Sequence, residues 1–362
     1  MGKKIIIAGG GTGGHIFPAI AIANALKAKD SSVEILFVGA NGKMEMEKVP
    51  QAGYPVKGID IAGLNRSSLI KNIWLPFKLI KSFMQVRQIF KAFTPTAVIG
   101  VGGYSTFPVL KYAQSQNIPT FIHESNSFAG KANKMLGKKA IKIFTGTDGM
   151  EKFFPADKVI VTGNPVRKEI VNANISKQDA LKYFSLDEGK TTLLVVGGSL
   201  GAKSINEAVL AGMNDLLKAG LQVIWQTGKT FAKEAANEAV EHKEVWMNEF
   251  ITNMEYAYAA ADIVMARAGA MTVAEICVVK KPVVFVPYPH AAEDHQTVNA
   301  VQLVNKNAAI MVKDSEAKSK AVKTVIELAK NETLRNEMTQ NLARLAITNA
   351  DDVVADEILN SI

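Results

Sequence analysis

His15 ends the run GGGTGGH at residues 9–15, between an apolar stretch and a helical pattern. Glycines let backbone amides approach a ligand, and a helix start favours negative charge. The same helix start disfavours imidazolium, which keeps a histidine neutral and basic. His15 is therefore a candidate general base, and a capping or supporting histidine is the plainer reading. The run satisfies G-x-G-x-x-G through Gly9, Gly11 and Gly14. A dinucleotide site also wants an acid at the end of the second strand. That strand ends VGANGK, with no acid at Gly39 or Ala40, so a nicotinamide reading loses force. A Walker A loop needs Gly-Lys-Ser/Thr, and here His15 follows Gly14, which excludes that NTPase class.

Four more segments carry chemistry. GVGGYSTFP (100–108) and GGSLGAKSIN (197–206) each follow an apolar run. Ser199 in the latter offers a hydroxyl to a phosphate beside nearby amides. ARAGAMTVAEI (266–276) reads as a strand-to-helix turn whose backbone at 269–272 faces a diphosphate, while Glu275 accepts from ribose hydroxyls. The plainer reading of Glu275 is an acid that favours a helix start. HAAEDHQTVNA (290–300) is dense in amide, imidazole and carboxylate groups for a plain connection. No Asp-x-Asp pair follows a strand, and His and Cys lack metal-ligand spacing, so no bound catalytic metal and no cofactor are expected.

Placing these turns takes alternating strands and helices. Strands are expected at 3–9, 33–39, 96–103, 119–124 and 140–146, with a helix at 17–29. The pattern restarts at 191–202 and continues at 221–228, 261–269, 281–289 and 308–314. The expected class is α/β, with two Rossmann-like, doubly wound parallel-sheet domains. Gly163, Asn164 and Pro165 break the pattern, so the expected domains are 1–163 and 164–345, with a last helix at about 346–362 packing back on the first.

The 362 residues carry one cysteine, Cys277, so no intrachain disulfide is available and a buried thiol is expected. The net charge of +8 is uneven: residues 1–163 hold 21 Lys+Arg against 9 Asp+Glu, and residues 164–362 hold 21 against 25. A basic first half fits an anionic partner, and both nucleic acid and an anionic membrane qualify. The first apolar run is too short for a signal peptide, Ile6 breaks the myristoylation pattern, and no stretch is long enough to span a bilayer. The expected protein is soluble or peripheral. In residues 73–93, Leu75, Leu79, Phe83, Val86, Phe90 and Phe93 form one helical stripe, with Lys71 just before the range and Lys78, Lys81, Arg87 and Lys91 mostly off the stripe. That is either a helix packed on its own sheet or a lipid-facing patch with a basic rim, and both hold if Ile73, Trp74 and Phe77 are exposed.

Taken in order and spacing, GGGTGGHIFPAIAIANAL, GVGGYSTFP, HESNSFAGKANKML, GNPVR, GGSLGA, RAGAMTVAEI and HQTVNA resemble the MurG family of peptidoglycan N-acetylglucosaminyltransferases across nearly the whole chain. The resemblance implies a GT-B fold with the site in a cleft between two domains. It implies inverting, metal-independent transfer of GlcNAc from UDP-GlcNAc to the lipid I acceptor, forming lipid II. It implies a cytoplasmic enzyme, peripheral on the inner face of the cell membrane, with cell-wall synthesis proteins as partners and no nucleic acid. By matching position, Thr12, Gly13 and Gly14 lie near the transferred sugar and Asn126 meets sugar or acceptor. Arg167 and Ser199 approach the donor. Ile251 and the stretch Ala270, Met271, Thr272, Val273, Ala274 and Glu275 hold uracil and ribose. Gln296, with Asn299 nearby, contacts the GlcNAc hydroxyls. Two departures stand out. Leu200 replaces a glutamine common in the family, and an extra residue before Gln296 leaves His295 or Gln296 as the sugar contact. A glycosyltransferase with another lipid acceptor, a nicotinamide oxidoreductase and a non-catalytic sugar-nucleotide binder are the competing readings.

Overall fold

The computed structural model describes residues 2–61, 75–198 and 201–362. The chain forms two compact units, one of Met1–Arg167 with Asn349–Ile362 and one of Lys168–Thr348.

The first unit runs β1 (Lys4–Ala8), α1 (Gly13–Lys29), β2 (Glu34–Ala40), α2 (Glu45–Gln51), β3 (Val56–Ile59), α3 (Leu75–Phe93), β4 (Ala97–Gly100), α4 (Thr106–Ser115), β5 (Thr120–Glu124), α5 (Lys131–Gly137), β6 (Lys142–Thr145) and β7 (Val159–Val161). All strands are parallel, in the order β3-β2-β1-β4-β5-β6-β7. β1 is buried on both faces, which explains its unbroken apolar run. Ile5 and Ile7 pack with Ile16, Ile22 and Leu26 of α1. Ile6 and Ala8 pack on the other side with Val86 and Phe90 of α3 and Val109 and Leu110 of α4. α1 starts four residues before the expected 17–29, because glycines at its start hide the helical pattern.

The second unit runs α6 (Lys168–Val171), α7 (Lys177–Tyr183), β8 (Thr191–Val196), α8 (Lys203–Lys218), β9 (Leu221–Gln226), α9 (Ala232–Glu241), β10 (Val245–Asn248), α10 (Met254–Ala260), β11 (Ile263–Ala266), α11 (Ala270–Val279), β12 (Val283–Phe285), α12 (His295–Val304), β13 (Ile310–Met311), α13 (Val322–Lys330) and α14 (Glu332–Leu345). Its strands are also parallel, in the order β10-β9-β8-β11-β12-β13. Both sheets reverse direction beside their first strand, at β1/β4 and at β8/β11. The chain therefore leaves a crevice at the carboxyl ends of those strands, where every glycine turn falls. The buried indole of Trp225 on β9 donates to Asn206 Oδ1 of α8 at 3.0 Å, so the second core carries a satisfied polar group.

The last helix, α15 (Ala350–Leu359), belongs to the first unit. Val354, Ala355 and Ile358 join the α1 side of its core. Lys29 pairs with Asp356 at 2.8 Å, Lys142 pairs with Glu357, and Lys3 Nζ donates to the Leu359 carbonyl at 2.9 Å. Among the described residues no helix is long and apolar enough to cross a membrane. The core contact of α15 sets an expectation: Ile358→Ala should cost about 2–5 kcal/mol of stability, read by urea unfolding, because Ile358 is fully buried.

Candidate active site

In the first unit the two glycine turns lock together. Gly10 N donates to Gly102 O at 3.2 Å, and a Cβ on Gly103 would fall inside the Gly10 carbonyl. Gly103 also has φ +91°, so only glycine fits this approach without strain. Thr106 Oγ1 donates to the carbonyls of Ala8 and Gly102, tying the start of α4 to the end of β1.

Thr12 is the extended residue before α1, and Gly13, Gly14 and His15 form its first turn. The His15 ring lies against Gly102, and its Nδ1 is 3.1 Å from the Gly10 carbonyl. A carbonyl only accepts, so this contact assigns the proton to Nδ1 and leaves Nε2 as the basic nitrogen. Beside it, His123 is the residue before the last of β5 and is buried. His123 Nε2 donates to Gly163 O at 3.4 Å, and Ser125 Oγ meets Nδ1 at 3.3 Å. Burial pushes His123 down to about 4, the Gly163 carbonyl opposes this, and His15 adds a smaller lowering effect.

Asn126 follows directly. Its backbone and side-chain N–H groups donate to Glu124 Oε1 at 3.2 and 3.3 Å, while Asn133 Nδ2 donates to Oε2 at 2.8 Å. Asn164 Nδ2 donates to Ser125 O at 3.0 Å, which ties this loop to the segment leading to Arg167. The Arg167 guanidinium stacks over Phe17 of α1, 4.9 Å from the ring centroid. The first unit thus gathers Thr12, Gly13, Gly14, His15, Asn126 and Arg167 at one sheet edge.

In the second unit, Gly201 turns with φ +80° against the Thr227 carbonyl and leads into α8. Ser199 and Leu200 lie outside the described residues. Gln226, at the end of β9, supports this turn by donating to Gly198 O at 2.9 Å. Its Oε1 accepts from Ile251 N at 2.9 Å. The Ile251 side chain is buried and its N–H is taken by Gln226, so this position has its carbonyl to offer a ligand. Ala270–Thr272 open α11, with Val273 and Ala274 in its next turn. Glu275 Oε2 accepts from Tyr258 Oη at 2.9 Å. Asn299 Nδ2 donates to Ala268 O at 3.1 Å, and Gln296 Oε1 accepts from Tyr288 N at 2.9 Å. His295 and Gln296 are the first two residues of α12. Glu293 and Asp294 precede them with φ +54° and +51°, a strained entry.

Sequence reasoning missed the residues that hold these groups in place. Arg267 donates to the carbonyls of Val286 and Pro287 at 2.9 and 3.1 Å, to Ser204 Oγ at 3.0 Å and to Asp314. It therefore staples β12 to the start of α8. Glu124, His123 and Gln226 sit inside strands, where their polarity against an apolar run was the available signal. Glu45 lies in a charged helix start and gave none. Its buried carboxylate accepts from Gly11 N and Ala40 N, both at 2.8 Å. Among the described residues no three His, Cys, Asp or Glu side chains converge in a cluster fit for a metal.

The His123 environment carries a pH dependence. Its folded value, about 4, lies below the unfolded value of about 6.5. Below pH 6.5 the unfolded chain binds the extra proton, so stability should fall as pH drops from 6.5 to 4, by up to about 3 kcal/mol. Urea unfolding of wild type and His123→Gln across that range checks this, with the variant showing the flatter profile.

Residues 5–145 match the glycosyltransferase family 28 N-terminal domain, and residues 192–355 match that family's C-terminal domain. The chain is 50% identical over 358 residues to a Phocaeicola vulgatus protein, covering 98% of this chain and 95% of the relative. That relative is named UDP-N-acetylglucosamine--N-acetylmuramyl-(pentapeptide) pyrophosphoryl-undecaprenol N-acetylglucosamine transferase. A Flavobacterium psychrophilum protein of the same name is 47% identical, with 98% and 97% covered. Among solved structures, Acinetobacter baumannii MurG superposes with a TM-score of 0.79 at 29% identity, covering 99% of each chain.

Proposed function

We infer the reaction from the premise that this chain belongs to glycosyltransferase family 28: it transfers N-acetylglucosamine from UDP-GlcNAc to the C4 hydroxyl of undecaprenyl-pyrophosphoryl-N-acetylmuramoyl-pentapeptide, converting lipid I to lipid II. The observation that carries this is the 50% identity, spread over nearly the whole of both chains, to a transferase of that name. The fold is GT-B, two parallel doubly wound sheets.

The proposed roles follow from the chemistry at each sheet edge. In the first unit the acceptor C4 hydroxyl gives its proton to His15 Nε2, and its oxygen attacks the anomeric carbon from the face opposite UDP. The bond to the UDP oxygen breaks with its electron pair leaving on the diphosphate, and the configuration inverts to a β-1,4 link. Asn126, held by Glu124, orients the acceptor or sugar, and Thr12–Gly14 amides line the same edge. In the second unit, the helix starts at Gly201–Lys203 and Gly269–Thr272 take the growing negative charge of UDP. Ser199 and Arg167 add contacts to the donor. Glu275, braced by Tyr258, accepts from the ribose hydroxyls. The Ile251 backbone meets uracil, and Gln296 meets the GlcNAc hydroxyls.

The membrane side of the proposal rests on α3. Leu79, Phe83, Val86, Phe90 and Phe93 are partly or fully buried on the unit's own core. Phe77, Ile80 and Met84 are exposed on another stripe, with Lys78, Lys81, Arg87 and Lys91 exposed around and beyond them. Ile73, Trp74 and Lys71 lie outside the described residues. An apolar stripe with a basic rim fits peripheral docking on the anionic inner leaflet, where the lipid acceptor lies.

Transfer of labelled GlcNAc from UDP-GlcNAc to a lipid I analogue tests the reaction. Turnover should persist in EDTA, and His15→Ala should cut kcat about 10²–10⁴-fold. Absence of lipid II formation by the wild type would refute the assignment. Replacing Phe77, Ile80 and Met84 together by serine should weaken co-sedimentation with anionic vesicles and leave turnover on a water-soluble acceptor unchanged.

A further inference from the structure

The acid that a dinucleotide site would place at the end of β2 is absent, yet an acid reaches the first glycine turn by another route. Glu45 lies at the start of α2, five residues past β2, and is 1% exposed. Its Oε1 accepts from Ala40 N and its Oε2 from Gly11 N. Gly10 and Gly39 pack directly on this carboxylate, and a Cβ at either would overlap it. Among the described residues no cation pairs with Glu45, and its two carboxylate oxygens are held there by two backbone N–H groups.

The geometry at Gly10 and Gly11 gives that charge a target. Gly11 N–H and Gly10 C=O belong to one peptide group. Glu45 accepts from its N–H end at 2.8 Å, and His15 Nδ1 donates to its C=O end at 3.1 Å. An anion on the N–H side of a planar amide draws electron density toward the carbonyl oxygen, and hydrogen bonds in such a chain strengthen one another. Thr12 Oγ1 is a longer neighbour of the same nitrogen, at 3.5 Å.

We propose that Glu45 is a positioning residue that acts on His15 through the Gly10–Gly11 peptide, forming a carboxylate–peptide–histidine relay. The role parallels the acid that orients histidine in a serine-protease triad, with one peptide group interposed. The relay fixes Nδ1 as the protonated nitrogen and stabilises the imidazolium that forms when Nε2 takes the acceptor's proton. A second consequence concerns anions. Gly9 N donates to Val38 O, Gly10 N to Gly102 O and Gly11 N to Glu45, so the first three amides of the turn are already used. An anionic ligand is left with the Thr12–Gly14 end of the turn.

This inference rests on the reading of His15 as the base, so the deciding measurement does not depend on turnover. The ring signals of His15 are followed by NMR against pH in wild type and Glu45→Gln. Among the described residues, His123 is an electrostatic neighbour of His15. Burial holds His123 on β5 down at about 4, and the Arg167 guanidinium lies over Phe17 of α1. The His15 midpoint should fall by about half a pH unit in the variant, because a partner that favours the charged form is lost. The acid limb of kcat should move the same way, while the donor KM stays within about twofold, as expected when only the transition state is affected. In a His15→Ala background, Glu45→Gln should cost almost nothing further, since its partner is gone. An unmoved His15 midpoint, or an equal loss in the His15→Ala background, overturns the proposal and leaves Glu45 as a fold residue. If His15→Ala keeps normal turnover, the base reading falls, and the His15 midpoint still decides the relay. Should Glu45→Gln fail to fold, the wild type decides: the Gly11 amide proton should shift with the His15 midpoint, and independence of the two overturns the coupling.

Discussion

The reversal of strand order beside the first strand of each sheet is the constraint on which the rest depends. Where connections leave adjacent parallel strands in opposite directions, no helix covers the strand ends and a crevice results. In the first unit that crevice is narrow enough for two turns to share hydrogen bonds, Gly10 to Gly102, with Gly103 on the Gly10 carbonyl. Side chains are excluded at these points by contact with backbone. His15 is then the first bulky side chain after the turn, and it has to lie against Gly102.

The two units back their first glycine turns with different chemistry. Behind the Gly9–Gly14 turn stands a carboxylate, Glu45, which takes a backbone N–H that a phosphate would otherwise want. Behind the turn after β8 stands a neutral amide, Gln226, which donates to the Gly198 carbonyl instead. Arg267 lies close by, buried enough to organise three segments. These local groups oppose the bulk charge, since residues 1–163 are the basic part of the chain. Short-range dipoles at a helix start outweigh distant, screened surface lysines in choosing where a nucleotide diphosphate rests. This favours the second unit as the proposed donor side, even though its net charge is negative.

The parts of the fold that were readable from sequence were those under one-sided physical pressure. Central strands such as β1 and β8 are buried on both faces and must be apolar, so their runs stood out. The edge strands β3, β7 and β10 are short, with partly exposed residues, and their sequences carry no such mark. Glycine turns were legible because close backbone approach leaves few other residues possible. The residues that brace the site were not, because their roles come from contacts across the sheet. Glu45 reaches Gly11 over 34 positions, and Arg267 reaches Asp314 over 47. A local pattern holds no trace of such pairings. The amphipathic stripe on α3 was legible, and the exposed Phe77, Ile80 and Met84 are visible only once the buried face is known.

The return of α15 to the first unit has a consequence for how the protein is made. The second unit is a continuous stretch and holds all its own elements once residue 348 has emerged from the ribosome. The first unit is translated earlier but waits for Val354, Ala355 and Ile358 to cover the α1 side of its core. Until then α1 presents bare apolar surface to solvent, a state in which nascent chains recruit chaperones or associate with one another. The unit made earlier is thus the later one to be sealed. The assembly that carries His15 is completed only after the other unit has been made in full.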